Sequence, residues 1–252
     1  MNIHPIIEKL RKLNLKGMAE SLEDQLKNET SSALLFEERL GILVESETAL
    51  RETRRLEARL KKAQLKQKAC MQDVDYRSNR GLDRTLFMSF ENCHWITNHK
   101  NILITGPTGT GKSYLGEALA HNACLKGIPS KMIQLSHFFE KLKAAKADGK
   151  YLKILAELSK YELIFFDDFG MDVLNTEHAK DLWKIVDDRY NKKSTIMVSQ
   201  LPIKLWHDAI EDKALADAIL DRIVHNAYKI ELSGNSLRRK TEMSSEEKSV
   251  KP

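Results

Sequence analysis

The chain has 252 residues, of which 42% are hydrophobic and 31% are charged, with a formal net charge of +5. This length allows one large domain, or a domain with a smaller appendage, around a buried core. Three widely spaced cysteines cannot form a disulfide framework or a Cys-x-x-Cys metal site, which favours a reducing compartment. The N-terminus lacks a signal-peptide core, and no apolar run reaches the roughly 20 residues of a membrane-spanning helix. We therefore expect a cytoplasmic protein without a membrane partner.

Residues 1–68 predict a small all-helical domain that binds DNA or a partner and supports oligomerisation. Its apolar residues recur at helical spacing, and residues 51–68 contain eight Lys and Arg against two Asp and Glu. Leucines on the opposite face of the predicted helix leave this basic face outward. A solvated helix face is the alternative, but we predict a duplex-DNA contact through phosphates by Arg51, Arg54, Arg55, Arg59, Lys61 and Lys62.

After residue 68 the regular helical spacing of apolar residues ends. Residues 69–98 are less regular and predict a linker that leads into a docking segment. In residues 99–240, short β-rich runs alternate with helical stretches, which is typical of a parallel sheet with helices on both faces. The predicted strands are Asn101–Thr105, Lys131–Leu135, Leu163–Asp167, Thr195–Ser199 and Tyr228–Leu232. The predicted helices are Ser113–Leu125, His137–Ala147, Tyr151–Ser159, Thr176–Tyr190, Leu205–Ile210 and Ala214–His225. Residues 241–252 are polar and predict a disordered tail.

The strongest motif matches Gly-x4-Gly-Lys-Ser/Thr throughout and lies between a predicted strand and a predicted helix. Its residues are Gly106, Pro107, Thr108, Gly109, Thr110, Gly111, Lys112 and Ser113. The glycines allow backbone N–H groups to point at a phosphate, and the helix N-terminus adds positive potential. We expect Lys112 to reach the β- and γ-phosphates and Ser113 to bind Mg²⁺. This loop and the next residue, Tyr114, are therefore the predicted triphosphate site.

A phosphate site of this kind also needs a metal-holding acid on another strand. Asp167 and Asp168 follow four apolar residues, so their carboxylates emerge at the carboxyl end of a buried parallel strand. Asp167 is the predicted acid on the Mg²⁺ side. Asp168 is predicted to orient or deprotonate the attacking water, with a capping role as the alternative. Because many related motifs carry the longer Glu at this place, we expect slow or partner-dependent hydrolysis.

The nucleotide base is predicted to be adenine. Asn191–Ser194 resembles a guanine-reading Asn-Lys-x-Asp motif, but Ser194 cannot accept two hydrogen bonds as Asp does, and the segment precedes a strand. Ser199 and Gln200 end a strand that we expect beside the metal-acid strand, so either can contact the attacking water or the γ-phosphate. The alternative is that both residues only begin the next loop.

Two arginines late in the domain are candidates for completing the site. Arg222 lies on a predicted helix, and Arg238 lies just past the last predicted strand. In oligomeric ATPases an arginine of a neighbouring subunit commonly contacts the nucleotide and raises the rate by about 10³–10⁵. Both would also be unremarkable as ordinary surface residues, so their roles stay open at this point.

Several segments together resemble the IstB family, whose members are AAA+ ATPases encoded beside a transposase in bacterial insertion sequences. These segments are Gly106–Ser113, Ile164–Gly170, Val198–His207 and Ala218–His225, with further likeness at Glu38–Glu45 and Arg54–Arg59. The family is related to the DnaC-type helicase loaders. The resemblance implies an α/β fold, an AAA+ P-loop NTPase with a five-stranded parallel sheet flanked by helices and preceded by the helical N-terminal domain.

The resemblance also implies a role in DNA transposition and recombination. ATP, with Mg²⁺, would drive self-assembly on double-stranded DNA, and the oligomer would present target DNA to the partner transposase, with hydrolysis regulating the assembly. By position, Arg222 resembles a trans arginine finger and Arg238 a cis sensor arginine. Only about 20 residues follow the last predicted strand, so we expect no C-terminal helical lid. The alternatives are a replicative-helicase loader and a protein that holds ATP as a structural switch.

Overall fold

The computed structural model describes residues 4–28, 33–78, 80–234 and 236–237. The chain divides into two compact units, Met1–Ala58 and Arg59–Pro252. The division therefore falls inside the helix that was expected to end the first domain, before the predicted boundary at residue 68. No helix in the described part of the chain is both long and apolar enough to span a membrane.

The first unit is helical, as the sequence predicts. Its helices are α1 (His4–Lys12), α2 (Lys16–Lys27) and α3 (Phe36–Ala63), and α3 continues past residue 58. The carboxylate of Glu47 accepts hydrogen bonds from the backbone N–H groups of Gly17 (2.7 Å) and Met18 (3.3 Å). A buried carboxylate on α3 thus satisfies N–H groups that would have no partner at the start of α2.

The second unit contains a parallel sheet of five strands in its described residues, in the order β2-β3-β4-β1-β5. The strands are β1 (Asn101–Thr105), β2 (Ser130–Gln134), β3 (Leu163–Phe169), β4 (Ser194–Ser199) and β5 (Ala227–Glu231). The strand predictions are correct to within one or two residues. Strands β1, β3 and β4 are buried along most of their length, because helices cover both faces of the sheet.

The helices of the second unit are α4 (Arg84–Ser89), α5 (His94–Thr97), α6 (Lys112–Leu125), α7 (Leu135–Ala147), α8 (Tyr151–Leu158), α9 (Thr176–Arg189) and α10 (Lys213–Val224). The predicted helix Leu205–Ile210 is wrong. Ile203–Leu205 forms a single 3₁₀ turn instead. The Trp206 side chain is fully buried and donates its indole N–H to the Leu201 carbonyl oxygen, 2.9 Å away. Packing of this large side chain takes the place of a regular helix.

The segment 69–98 packs into the core of the second unit rather than standing apart as a linker. Its residues join one continuous apolar cluster with strands β1, β3 and β4; they are Ala69, Met71, Val74, Phe87, Phe90, Cys93, Trp95 and Ile96. Its helices and 3₁₀ turns are only three to six residues long, as in Met71–Asp73 and Phe90–Asn92. Apolar periodicity cannot be recognised over such short elements, which is why the sequence predicts a linker.

The sheet order brings the candidate residues to one edge. Strand β4 lies between β1 and β3 and pairs in parallel with both. The carboxyl ends of the three strands therefore meet, and the loop before α6, the Asp167–Asp168 pair and the Ser199–Gln200 pair lie at those ends.

Candidate nucleotide-binding site

The loop between β1 and α6 has the conformation that its glycines allow. Gly111 has φ +88°, and a Cβ there would lie 2.5 Å from a guanidinium nitrogen of Arg80. The Pro107 carbonyl oxygen accepts hydrogen bonds from the Lys112 ammonium (2.7 Å) and the Thr110 hydroxyl (2.9 Å). Only glycine fits at position 111, because the backbone is left-handed and the space is filled. The loop is thus a compact turn that leads directly into the N-terminus of α6.

The predicted metal ligands are brought together. The Ser113 hydroxyl donates a 2.9 Å hydrogen bond to Oδ1 of Asp167, whose residue is 2% exposed. Burial raises the pKa of Asp167, and the neighbouring Asp168 acts in the same direction, against the Ser113 hydrogen bond. A hydroxyl and a carboxylate are the hard oxygen ligands that Mg²⁺ takes, and Mg²⁺ completes its shell with substrate phosphates and water. The two side chains therefore fit the predicted ion.

Asp168 is directed away from Asp167 by an irregularity in β3. The register between β3 and β4 shifts between Phe166 and Phe169, and Asp168 has φ +63°. A bulge of this kind re-aims the side chain that it contains. Oδ2 of Asp168 accepts a hydrogen bond from the side-chain amide of Gln134, at the end of β2, over 3.1 Å. Gln134 is a residue that the sequence analysis missed, because a single Gln at a strand end carries no motif.

Ser199 and Gln200 have different surroundings. The Ser199 hydroxyl is fully buried, donates to the Phe169 carbonyl oxygen (2.6 Å) and accepts from the Leu201 N–H (3.0 Å). Gln200 is exposed, and its Oε1 accepts a 2.7 Å hydrogen bond from the Thr108 hydroxyl. Ser199 therefore holds the strand end in place, whereas Gln200 contacts the phosphate loop itself.

A cavity of about 610 Å³ lies beside the phosphate loop and has a volume suited to a small ligand. It is lined by the loop and by Gln67, Asp73, Asp75 and Arg80, together with Tyr114, Asp168, Met171, Gln200 and Leu237. Burial raises the pKa of the Tyr114 hydroxyl above its ordinary value. One side of the candidate site is thus built by the segment that the sequence predicts to be a linker.

Arg80, which no sequence motif marks, forms a hydrogen bond with the backbone of the phosphate loop. Its guanidinium donates to the backbone oxygens of Thr110 (2.7 Å) and Asp75 (2.9 Å), and the residue is 3% exposed. Burial lowers the pKa of Arg80, opposed mainly by the charge of Asp75. The side chain thus joins the phosphate loop at Thr110 to Asp75, and both the loop and Asp75 line the cavity.

The segment that follows α3 also reaches this site. Gln67 donates to the buried carboxylate of Glu117 on α6, from its backbone N–H (2.8 Å) and from its side-chain amide (3.3 Å). The ammonium of Lys66 lies 3.6 Å from Oδ2 of Asp167. The metal-side acid thus has one partner in the phosphate loop and one in a segment far from it in sequence.

Arg222 does not line this cavity. Arg222, in the last turn of α10, donates to Asp187 (2.7 Å) and to the Ala218 carbonyl oxygen (3.0 Å). It lies beside Asn101, at the opposite end of β1 from the phosphate loop. Arg238, like the predicted tail 241–252, lies outside the described residues. Within one described chain, Arg222 and Lys112 are therefore at different edges of the sheet.

The predicted DNA-binding residues belong to α3 in both units. In the first unit Arg54 and Arg55 are exposed, and Arg51 forms a 2.7 Å ion pair with Glu47. In the second unit Lys61 and Lys62 are exposed, and they stand beside Arg59 in the sequence. Arg59 donates to the Cys124 carbonyl oxygen at the end of α6, 3.0 Å away. Arg51 and Arg59 thus already have partners, whereas the exposed cations face solvent.

Comparison with known proteins identifies a family. Residues 8–245 match the family described as IstB-like ATP binding protein. The chain is 44% identical over 239 residues to y4pL of Sinorhizobium fredii, named as an insertion sequence ATP-binding protein, covering 95% of this chain and 98% of that protein. It is 39% identical over 197 residues to the ATP-binding protein named for insertion sequence IS1162 of Pseudomonas fluorescens, covering 78% of this chain and 85% of that protein.

Solved structures share the fold of the second unit. A DnaI structure superposes with a TM-score of 0.58 at 23% identity, covering 66% of this chain and 91% of that one. The DnaC helicase loader superposes with a TM-score of 0.54 at 20% identity, covering 64% of this chain and 94% of that one. At such identities the likeness concerns the fold alone, which is a five-stranded parallel sheet flanked by helices. The described residues after β5, which are 232–234 and 236–237, contain no helical lid.

Proposed function

Because the chain belongs to the family of IstB-like ATP-binding proteins, we propose that it is an ATPase that assembles on duplex DNA and delivers this target to the transposase of its insertion sequence. The main support for the proposed ATPase activity is the 2.9 Å hydrogen bond between Ser113, at the end of the phosphate loop, and Asp167. It unites two side chains of the metal site that are 54 residues apart in the sequence.

Different residues bind the phosphates, hold the metal ion and act on the attacking water. The backbone N–H groups of Gly106–Ser113 and the N-terminus of α6 bind the phosphates, and Lys112 carries the positive charge nearest to them. Ser113 and Asp167 would hold Mg²⁺, which would supply positive charge to the phosphates. Asp168 orients the attacking water and takes up its proton. Gln200, which contacts Thr108 of the loop, is the polar residue that we assign to the γ-phosphate.

The basal rate of hydrolysis is expected to be slow. Oδ2 of Asp168 accepts a hydrogen bond from the Gln134 amide, so an attacking water must compete with that amide for this oxygen. Stimulation by DNA or by the transposase then requires that Gln134 be drawn away from Asp168. The neighbouring subunit supplies Arg222, and Arg238 acts within its own subunit.

Duplex DNA is the proposed ligand of the exposed cations on α3, because phosphate contacts need charge rather than stacking surfaces. Each phosphate that is neutralised should steepen the logarithmic salt dependence of binding by about 0.9. Arg54, Arg55, Lys61 and Lys62 are the main candidates, with Arg51 and Arg59 joining them if their present partners are exchanged for phosphate.

Lys112→Ala tests the coupling between ATP and assembly. We expect the variant to lose ATP binding and to stay small on duplex DNA, whereas the parent protein forms large complexes when ATP is added. Binding of a fluorescent ATP analogue measures the first property, and sedimentation with a duplex or a single strand of equal length measures the size of the complexes. Assembly of Lys112→Ala equal to that of the parent would contradict the proposal, and a preference for the single strand would favour a helicase loader.

A further inference from the structure

Residues 64–69 of the second unit, which follow α3, are held by hydrogen bonds at two places. The Lys131 ammonium donates to the Gln64 side-chain oxygen (2.6 Å) and to the Lys62 carbonyl oxygen (3.1 Å). Gln67 donates twice to Glu117, which is 1% exposed. Ala69 is fully buried. This short segment is thus held against β2 and α6, the helix that begins at the phosphate loop.

Lys66, between these two anchors, contacts the metal-side acid. Its Nζ lies 3.6 Å from Oδ2 of Asp167, while Oδ1 accepts the Ser113 hydroxyl. The Asp167 side chain is 3% exposed, but the Lys66 side chain is 49% exposed. One carboxylate therefore serves both the phosphate loop and residues 64–69, and the cation among its partners is the one with access to water.

We propose that Lys66 and the metal ion compete for Asp167, so that residues 64–69 respond to metal-bound nucleotide. The inference rests on the proposed function, because it requires Mg²⁺ to bind beside Ser113 and Asp167. Two cations at one carboxylate repel each other, and a single negative charge cannot compensate for both. Mg²⁺ needs oxygen ligands, whereas a half-exposed lysine exchanges its partner for water at small cost.

This competition couples metal binding at the nucleotide site to the position of residues 64–69. When Lys66 leaves Asp167, residues 64–69 keep the hydrogen bonds of Gln67 to Glu117 but lose the charge contact beside them. The backbone N–H of Gln67 is then expected to open more often, because the Lys66–Asp167 ion pair next to it no longer restrains the segment. ATP without metal adds no competing cation and should leave the segment in place.

Lys66→Gln tests the competition, with Lys68→Gln as the matched control, since Lys68 is an exposed lysine of the same segment. Binding of a fluorescent ADP analogue is measured while Mg²⁺ is titrated at fixed nucleotide. We expect Lys66→Gln to raise the apparent Mg²⁺ affinity about two- to fivefold, the range of an exposed ion pair, and Lys68→Gln to leave it unchanged. An unchanged or lower Mg²⁺ affinity in Lys66→Gln would overturn the inference.

Hydrogen exchange of residues 64–68 gives a second readout that does not depend on turnover. In the parent protein, AMPPNP with Mg²⁺ is expected to speed exchange at Gln67 relative to AMPPNP with EDTA, and the difference should vanish in Lys66→Gln. Equal or slower exchange with Mg²⁺ would overturn the coupling while leaving the proposed ATPase intact. Failure of the parent protein to bind nucleotide in either condition would instead contradict the proposed function, and the inference with it.

Discussion

Asp168 has a left-handed backbone conformation although it lies within strand β3. Its φ of +63° lies in the left-handed region, which Asp tolerates better than most residues but which still costs of the order of 1 kcal/mol. The neighbouring residues of the strand, Asp167 and Phe169, are buried and hold Asp168 in this conformation. Its effect is to separate the directions of two adjacent carboxylates, so that Asp167 faces Ser113 and Asp168 faces Gln134.

Asp168→Asn is expected to lower the rate of phosphate release by about 10²-fold or more, because the amide cannot accept the proton of the attacking water. ATP binding should persist, since the phosphate loop and Asp167 are untouched. Phosphate release and binding of a fluorescent ATP analogue measure the two effects. Asp172→Asn, at an exposed position in the loop after β3, is the control. Equal turnover of Asp168→Asn and the parent would show that Asp168 is not the base.

At the scale of elements, two helical glycines of the first unit have opposite surroundings. A Cβ at Gly17 would lie 2.6 Å from the Ser46 backbone oxygen and 2.7 Å from Cα of Glu47. A Cβ at Gly41 would meet nothing within 4 Å. Gly17 therefore permits the close approach of α2 to α3, whereas Gly41 only makes the interior of α3 less stable than alanine would.

Gly17→Ala is expected to destabilise the first unit by about 1–3 kcal/mol, because the new methyl group meets rigid backbone. Gly41→Ala should stabilise it by about 0.5–1 kcal/mol, since alanine favours the helix and fills open space. Denaturant unfolding followed by circular dichroism provides the free energy of unfolding for each variant. Similar effects of the two substitutions would contradict the packing of α2 on α3 described above.

Elements with a regular pattern were predicted well, and short ones were not. Helix α6 follows the phosphate-loop motif and was placed within one residue of its observed start. Helix α2 was not predicted separately, because Met18, Leu22 and Leu26 form only a brief apolar stripe. The segment 69–98 was predicted to be a linker, although Phe87, Phe90 and Trp95 belong to the main core. Burial of these residues depends on a sheet whose strands come later in the chain.

At the scale of the whole molecule, the position of Arg222 favours a site completed by a second copy. Its guanidinium pairs with Asp187 and lies over the Tyr190 ring, at the edge of the sheet opposite to the phosphate loop. In a single described chain it cannot contact the nucleotide that Lys112 binds. Its proposed role as an arginine finger therefore requires oligomerisation.

Mixing two inactive variants tests this role. Arg222→Ala should lose at least about 10³-fold in turnover within the assembly while it still binds ATP. Asp168→Asn is inactive for a different reason and retains its own Arg222. A mixture is expected to recover part of the phosphate release, because an intact Asp168 site can then lie beside a neighbour with Arg222. No recovery in assemblies shown to contain both variants would place Arg222 outside the shared site.

The sequence by itself determined the chemistry: the phosphate loop, the acids at the end of a buried strand, and the family to which they point. These features are local, because the loop needs consecutive glycines, Lys112 and Ser113, and a parallel strand needs consecutive apolar residues. Only the tertiary structure decided which distant residues meet them. Gln134, Lys66 and Arg80 carry no motif. They reach the site because the parallel strands end together there, and because residues 64–69 and Arg80 pack beside those strand ends. Such contacts arise from the folding of the whole unit, so no stretch of sequence contains them.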